Sequence, residues 1–228
     1  HYTLMKWKRA KMKLSDNTVQ VLKNFSTINQ NLKIGIGNTL ATMSAMKNIV
    51  AKATVEETFE KDVAIYDLNE FLASMSLFDK PELDFQEDFL VMSEGDKLQY
   101  FYSDPSVVTT VTKEISMPSV DVTFTLSSEE LSNITKAAAV IGAPDMILEN
   151  GSLKVTDKKN NTANHYSKDV SVENQSGSGY GFWFKVENLK LMPGTYEVSV
   201  SSKKISHFKN INADLEYFIA LEPESYYG

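Results

Sequence analysis

The chain has 228 residues, 42% hydrophobic and 11% aromatic, with a net charge of −7 and no cysteine. That length and composition fit one or two globular domains and exclude a disordered or fibrous chain. The absent cysteines exclude disulfide staples and thiolate metal sites and fit a reducing compartment. No apolar run approaches the roughly 18 residues that cross a bilayer, and the basic N-terminus lacks the apolar core and cleavage site of a secretory signal. The Asn-x-Ser/Thr matches at Asn24, Asn133, Asn150, Asn160 and Asn174 therefore read as chance.

The charge is uneven. Residues 1–11 carry four positive charges and no acid, so the remainder from Met12 stands at −11 against −7 for the whole. A body of that charge repels nucleic acid over most of its surface. Residues 1–11 read as an upstream extension or a cloning remnant, with a basic arm as the other reading.

In chain order, the first element is a helix over Ser15 to Ile28. Val19, Leu22, Phe25 and Ile28 recur at helical spacing, opposite Gln20, Lys23, Asn24 and Thr27. A hairpin follows, with Gly37-Asn38 between Leu32–Ile34 and Leu40–Met43, and then strands at 49–55 and 59–66. Asp67 to Leu77 is a short helix with Leu68, Phe71, Leu72 and Met75 on one face, followed by strands at 83–91 and 98–103. From Asp104-Pro105-Ser106 to Met117-Pro118 the chain is bracketed by prolines and lacks helical periodicity, which reads as an extended connector. Its apolar residues Val107, Val108, Val111, Ile115 and Met117 form either a docking surface or an edge strand.

The second long helix spans Ser127 to Ile141, with Leu131, Ile134, Ala138 and Ile141 as its buried stripe. Ser127-Ser128-Glu129-Glu130 is a capping box, in which hydroxyl and carboxylate each satisfy a free backbone N–H of the first turn. Leu126 with Leu131, and Leu14 with Val19 in the first helix, are placed as hydrophobic staples. Asn150-Gly151 signals a tight hairpin between Met146–Leu148 and Leu153–Val155. Strands at 165–172 and 180–186 precede a short helix from Val186 to Met192, stopped by Pro193-Gly194, and strands at 195–201 and 214–221 end the pattern.

The pattern occurs twice. Leu14-Ser15 returns as Leu126-Ser127 at an offset of 112, and Leu98-Gln99-Tyr100-Phe101 returns as Leu215-Glu216-Tyr217-Phe218 at an offset of 117. The two short helices fall in line, Leu68 and Val186 being 118 apart. Each half reads helix, strands, helix, strands, an α+β arrangement with antiparallel sheets.

Candidate chemistry is sparse. His1, His165 and His207 have no helical i,i+4 partner and read as surface or strand positions. Glu56-Glu57, Asp84 with Glu87-Asp88, and Glu129-Glu130 are acid clusters without the alternating oxygens of a cation loop, so they read as solvated faces and caps. Gly35-Ile36-Gly37 is too short for a phosphate loop. With no nucleophile motif, the reading is of a protein that is not an enzyme and needs no cofactor or metal. Lys23 beside Asn24, Lys136 near Asn133, and Lys190 lie on the polar faces of three of the helices, as solubilising residues or as contacts.

Several segments are similar to the sliding clamp, or DNA polymerase processivity factor, of T-even-type bacteriophages. Met12-Lys13-Leu14-Ser15, Leu22-Lys23-Asn24-Phe25 and Thr27-Ile28-Asn29 resemble its first helix. Asp62-Val63-Ala64-Ile65-Tyr66-Asp67-Leu68-Asn69 with Phe71-Leu72 resembles its second helix and the strand before it. Asp104-Pro105-Ser106 resembles the start of its connector, and Met192-Pro193-Gly194-x-Tyr196 and Ala220-Leu221-Glu222 resemble late segments. The similarity runs from Met12 to about Glu224.

The resemblance implies a DNA clamp fold of two similar domains with antiparallel sheets and paired helices, 12–104 and 121–228, joined by a connector at 105–120 and forming a ring. It implies a head-to-tail homotrimer that encircles duplex DNA without reading sequence and tethers the replicative polymerase. An ATP-dependent clamp loader and late-transcription factors are the further partners, in the cytoplasm of an infected bacterial host. Lys23, Asn24, Asn133, Lys136 and Lys190 would face DNA, while Val107, Val108, Ile115, Met117, Leu221 and Pro223 would receive partner tails. Ala138 and Ala139 stand where the family tends to add a basic residue, so the inner surface is expected to be less positive. The alternative is a two-domain β-rich phage structural or adhesion protein without a DNA role.

Overall fold

The computed structural model describes residues 10–174 and 177–228, so His1 and most of the basic stretch 1–11 lie outside the described residues. The chain divides into two compact units, His1–Thr42 with Ala53–Val111, and Met43–Lys52 with Thr112–Gly228.

The first unit contains β1 (Ala10–Met12), α1 (Asp16–Ile28), β2 (Leu32–Ile34) and most of β3 (Gly37–Met43) and β4 (Ile49–Phe59). It continues with β5 (Val63–Ile65), α2 (Leu68–Met75), β6 (Glu82–Phe85), β7 (Phe89–Glu94) and β8 (Asp96–Phe101). One sheet runs β1-β6-β7-β8, all antiparallel. Ala10 and Lys11 sit in this sheet, opposite Phe85 and Asp84. Leu83, Phe85, Leu90 and Met92 alternate on its buried side, and Ala53, Val55 and Phe59 do the same along β4. These faces and the stripes of α1 and α2 make the core, with Phe59 edge-on to Phe85 at 6.3 Å and Phe71 to Tyr100 at 5.5 Å.

The second unit contains β9 (Val122–Leu126), α3 (Ser128–Ile141), β10 (Asp145–Glu149), β11 (Ser152–Thr156), β12 (Tyr166–Asp169) and β13 (Val172–Glu173). It continues with β14 (Tyr180–Lys185), β15 (Tyr196–Ser201), β16 (Ile205–Asn210), β17 (Leu215–Ala220) and β18 (Tyr226–Tyr227). One sheet runs β12-β11-β10-β14-β18; in the other, the strands of this unit run β13-β9-β15-β16-β17. Leu131, Ile134 and Ala138 of α3 are buried, as are Phe182, Phe184, Tyr196, Phe208 and Tyr217. Asn150 and Gly151 both have positive φ, 44° and 85°, as a two-residue hairpin turn requires.

Local structure departs from the pattern in several places. Gly37-Asn38 is not a hairpin turn, because β2 pairs with β5 (Leu32 opposite Ile65) and Gly37 opens β3. The strand read at 59–66 is the end of β4, a polar turn and β5, with Asp62 accepting the Ile36 N–H at 2.9 Å. The strand read at 83–91 breaks at Gln86–Asp88, where Gln86 N–H donates to Phe89 O. The buried stripe of α1 uses Thr18 and Val21, while Val19 is half-buried.

The helix read from Val186 to Met192 shrinks to one 3₁₀ turn at Val186–Asn188. Met192 N–H donates to the Tyr217 hydroxyl and Met192 O accepts from that of Tyr196, so two tyrosines take the main chain a helix would have used. Pro193 also biases Met192 away from helical geometry. β9 and β16 carried no clear strand signal. In β16 the inward positions include Ser206 and Asn210, which hide the alternation; Ser206 satisfies its hydroxyl on Ile219 O at 2.8 Å.

Candidate nucleic-acid and partner surfaces

α1 begins at Ser15, whose hydroxyl accepts the Thr18 N–H at 3.1 Å. The residue three beyond this cap is Thr18, not an acid, and the missing carboxylate comes from β4. Buried Glu57 accepts the Ser15 N–H at 3.2 Å and the Thr18 hydroxyl at 2.5 Å. α3 builds the same device locally, Ser127 accepting the Glu130 N–H and Glu130 the Ser127 N–H, each at 3.1 Å. Glu56-Glu57 is thus not an acid pair facing one site: Glu56 is exposed and Glu57 serves the cap. Among the described residues, no three His, Asp or Glu side chains converge as for a metal ion.

These caps leave one polar face on each helix. On α1, Gln20, Lys23 and Thr27 are exposed and Asn24 half-exposed. On α3, Asn133 and Lys136 are exposed. The caps are 112 residues apart, but the buried stripes align at 113, with Thr18, Val21 and Phe25 answering Leu131, Ile134 and Ala138; Ile141, expected in the stripe, is only half-buried where its counterpart Ile28 is buried. At that same offset of 113, Lys23 answers Lys136. Neither lysine takes part in an ion pair among the described residues, whereas Lys158, Lys168, Lys185 and Lys209 all do. Lys190 is half-buried just after the 3₁₀ turn and has partners of its own, so it does not lie on a helix with the others. Ala138 is 2% exposed, so a basic residue there would point into the core; Ala139 and Val140 are exposed.

The six residues read as a partner pocket are divided between the units. In the first, Asp104 caps the turn Pro105–Val107 by accepting the Ser106 N–H at 2.9 Å, which holds its carboxyl below the usual carboxylate range. Val107 is exposed and Val108 buried. Beyond them Thr109 N–H donates to Asn31 Oδ1 at 2.7 Å, and Asn29 donates to the Thr109 hydroxyl at 3.1 Å, tying the connector to the end of α1. No strand forms between Val108 and Asp121. In the second unit Ile115 and Met117 are half-buried, Leu221 is buried and Pro223 exposed.

One neighbour of that region carries no signal in the sequence. Met43–Lys52, the tip of the β3–β4 hairpin, belongs to the second unit, where Asn48 O accepts the Ala220 N–H at 2.9 Å and Asn48 donates to Asn188 at 3.3 Å. This sets the exposed Met46 two residues from a backbone anchor adjoining Leu221.

The model of the family described as DNA polymerase processivity factor matches residues 13–108, and that described as gp45 sliding clamp, C terminal, matches 120–223. The chain is 35% identical over 222 residues to the sliding clamp of Vibrio phage KVP40, covering 92% of this chain and 99% of that one. It is 28% identical to the sliding clamp of Enterobacteria phage T4, covering 94% and 98%. Among solved structures it is similar to proliferating cellular nuclear antigen from Entamoeba histolytica, with a TM-score of 0.69 at 15% identity, covering 93% and 98%. It is also similar to the Helicobacter pylori beta clamp bound to a DNA ligase peptide, with a TM-score of 0.64 at 14% identity, covering 96% of this chain and 68% of that one. At these identities the structural likeness is one of fold.

Proposed function

Since the chain belongs to the phage sliding-clamp family of DNA polymerase processivity factors, we propose that three copies close head to tail around duplex DNA and hold the replicative polymerase to its template. The observation that carries this reading is the pair of long amphipathic helices, one per unit. Each offers a polar face with a single lysine that takes part in no ion pair among the described residues, at matching positions.

A tether that works by enclosure needs no tight contact. Lysines that touch phosphates without reading bases leave the ring free to slide, because every register along the backbone is equivalent. The rest of the body favours this. At −11 per chain from Met12 onward, three copies carry −33, so DNA is repelled from the outside and tolerated where lysines are exposed. Lys23 and Lys136 are the contacts in this reading, with Asn24 and Asn133 as neutral neighbours and Lys190 in a lesser role. Partner tails from the polymerase, an ATP-dependent loader and late-transcription factors dock on Val107, Val108, Ile115, Met117, Leu221 and Pro223, with Met46 added by the hairpin tip. The protein acts in the host cytoplasm and performs no catalysis itself.

The test is mass and topology together. Sedimentation should give a trimer, and rings loaded on nicked circular DNA should be retained there and lost once the circle is cut. A stable monomer at micromolar concentration, or equal retention on linear and circular DNA, removes the enclosure reading.

A further inference from the structure

The outer edge of β14 is covered by residues 222–228 of the same chain. Glu222 N–H donates to Trp183 O at 2.8 Å, and a turn follows with Pro223 at its second position, closed by Ser225 N–H on Glu222 O at 3.1 Å. Trp183 N–H donates to the Ser225 hydroxyl at 2.8 Å. Beyond the turn, β18 pairs with β14 for two residues, Tyr226 opposite Gly181 and Tyr227 opposite Tyr180.

Two features of this edge select what lies on it. A Cβ on Gly181 would stand 2.5 Å from the Tyr226 ring, so the ring rests directly on the glycine. Covering a strand glycine with an aromatic from the neighbouring strand is a recognised stabilising pair. The other feature is cationic. Lys158 Nζ lies 3.2 Å from Glu224 and 3.8 Å from Glu222, and Lys185 Nζ lies 3.7 Å from Glu222. Lys158 also sits over the Trp183 ring at 5.6 Å. The edge therefore fits an acidic turn followed by an aromatic residue.

The segment is fastened mostly at exposed positions, its most enclosed tie being Lys158–Glu222, whose side chains are 15% and 18% open to solvent. β18 is two residues long, Tyr226 and Tyr227 are exposed, and Glu224 and Lys185 are about half open to solvent, where ion pairs contribute little. Beneath it runs a strand edge able to hydrogen-bond an incoming strand, the substrate of β-strand addition.

We infer that the outer edge of β14 is a peptide-docking edge kept closed by residues 222–228, and that its incoming ligand is an extended segment of another protein carrying an acidic turn followed by an aromatic residue. This goes beyond the DNA-enclosing reading and does not depend on it. Docking requires the covering segment to leave, so apparent affinity falls by the fraction of chains whose edge is free.

The probe is a fluorescein-labelled peptide of the chain's own segment, Glu-Pro-Glu-Ser-Tyr-Tyr-Gly, followed by anisotropy. It is titrated into the full chain, a chain ending at Leu221, and the full chain carrying Glu224→Lys and Tyr226→Ala. Both altered chains should bind it at least ~10-fold more tightly than the unaltered chain. Adding Gly181→Ala to the loosened full chain should abolish that binding. Equal binding to unaltered and loosened chains overturns the inference, as does no binding to the loosened full chain at millimolar peptide. If the shortened chain fails to fold, the full-length variants decide.

Discussion

α3 completes its capping box with its own Glu130, whereas α1 borrows the equivalent carboxylate from Glu57 on β4. The bonds formed are similar, but the consequences differ. Glu130 is partly exposed and shares its carboxylate with Lys168 at 3.7 Å, so water can replace part of what it supplies. Glu57 is 9% exposed and receives the Ser15 N–H and two hydroxyls, of Ser15 and Thr18, so its removal leaves the fully buried Thr18 hydroxyl without that acceptor. The start of α3 is thus a property of four consecutive residues, while the start of α1 is a property of the folded first unit.

The largest effect is expected where the two helices act alike. Lys23→Glu with Lys136→Glu reverses six charges in the proposed trimer. It should weaken DNA affinity roughly a hundredfold or more at low salt and flatten the salt dependence, with trimer mass unchanged. Filter binding across a salt series measures this. The single changes Lys23→Gln and Lys136→Gln should each lower the slope by a similar amount, and if one carries the whole loss the helices are not equivalent in use.

The caps themselves come next. Glu57→Ala should cost about 3 kcal/mol in urea unfolding, from a lost cap bond and a buried hydroxyl left without its acceptor. Glu130→Ala should cost about 1 kcal/mol, the ordinary worth of a solvated cap. Equal losses in the two variants would erase the distinction between a local and a borrowed box. Glu57→Gln, which keeps one acceptor oxygen, should fall between them.

Much of the frame was legible from residue order. Helical spacing and the Ser127–Glu130 box place α3, and Asn150-Gly151 places the β10–β11 turn, because each depends on bonds between near neighbours. The same periodicity was enough to put Lys23 and Lys136 on exposed faces. It failed where inward positions are polar, as with Ser206 and Asn210 of β16, and where the main chain is claimed from afar, as Met192 is by Tyr217. For the expected partner residues it could not tell exposed Val107 from buried Val108, since both read as apolar in an irregular stretch.

Residue order alone determined α1, α2 and α3, the Asn150-Gly151 turn, the repeat and the family, all of which rest on local bonds or on segments met in sequence. Only the tertiary structure decided that Glu57 caps a helix 42 residues away, that the tip at Met43–Lys52 joins the second unit, and that Tyr226 covers Gly181. Such contacts are chosen by which surfaces meet once the core has closed. The same glutamate, hairpin or tyrosine would read no differently in the sequence had it faced water.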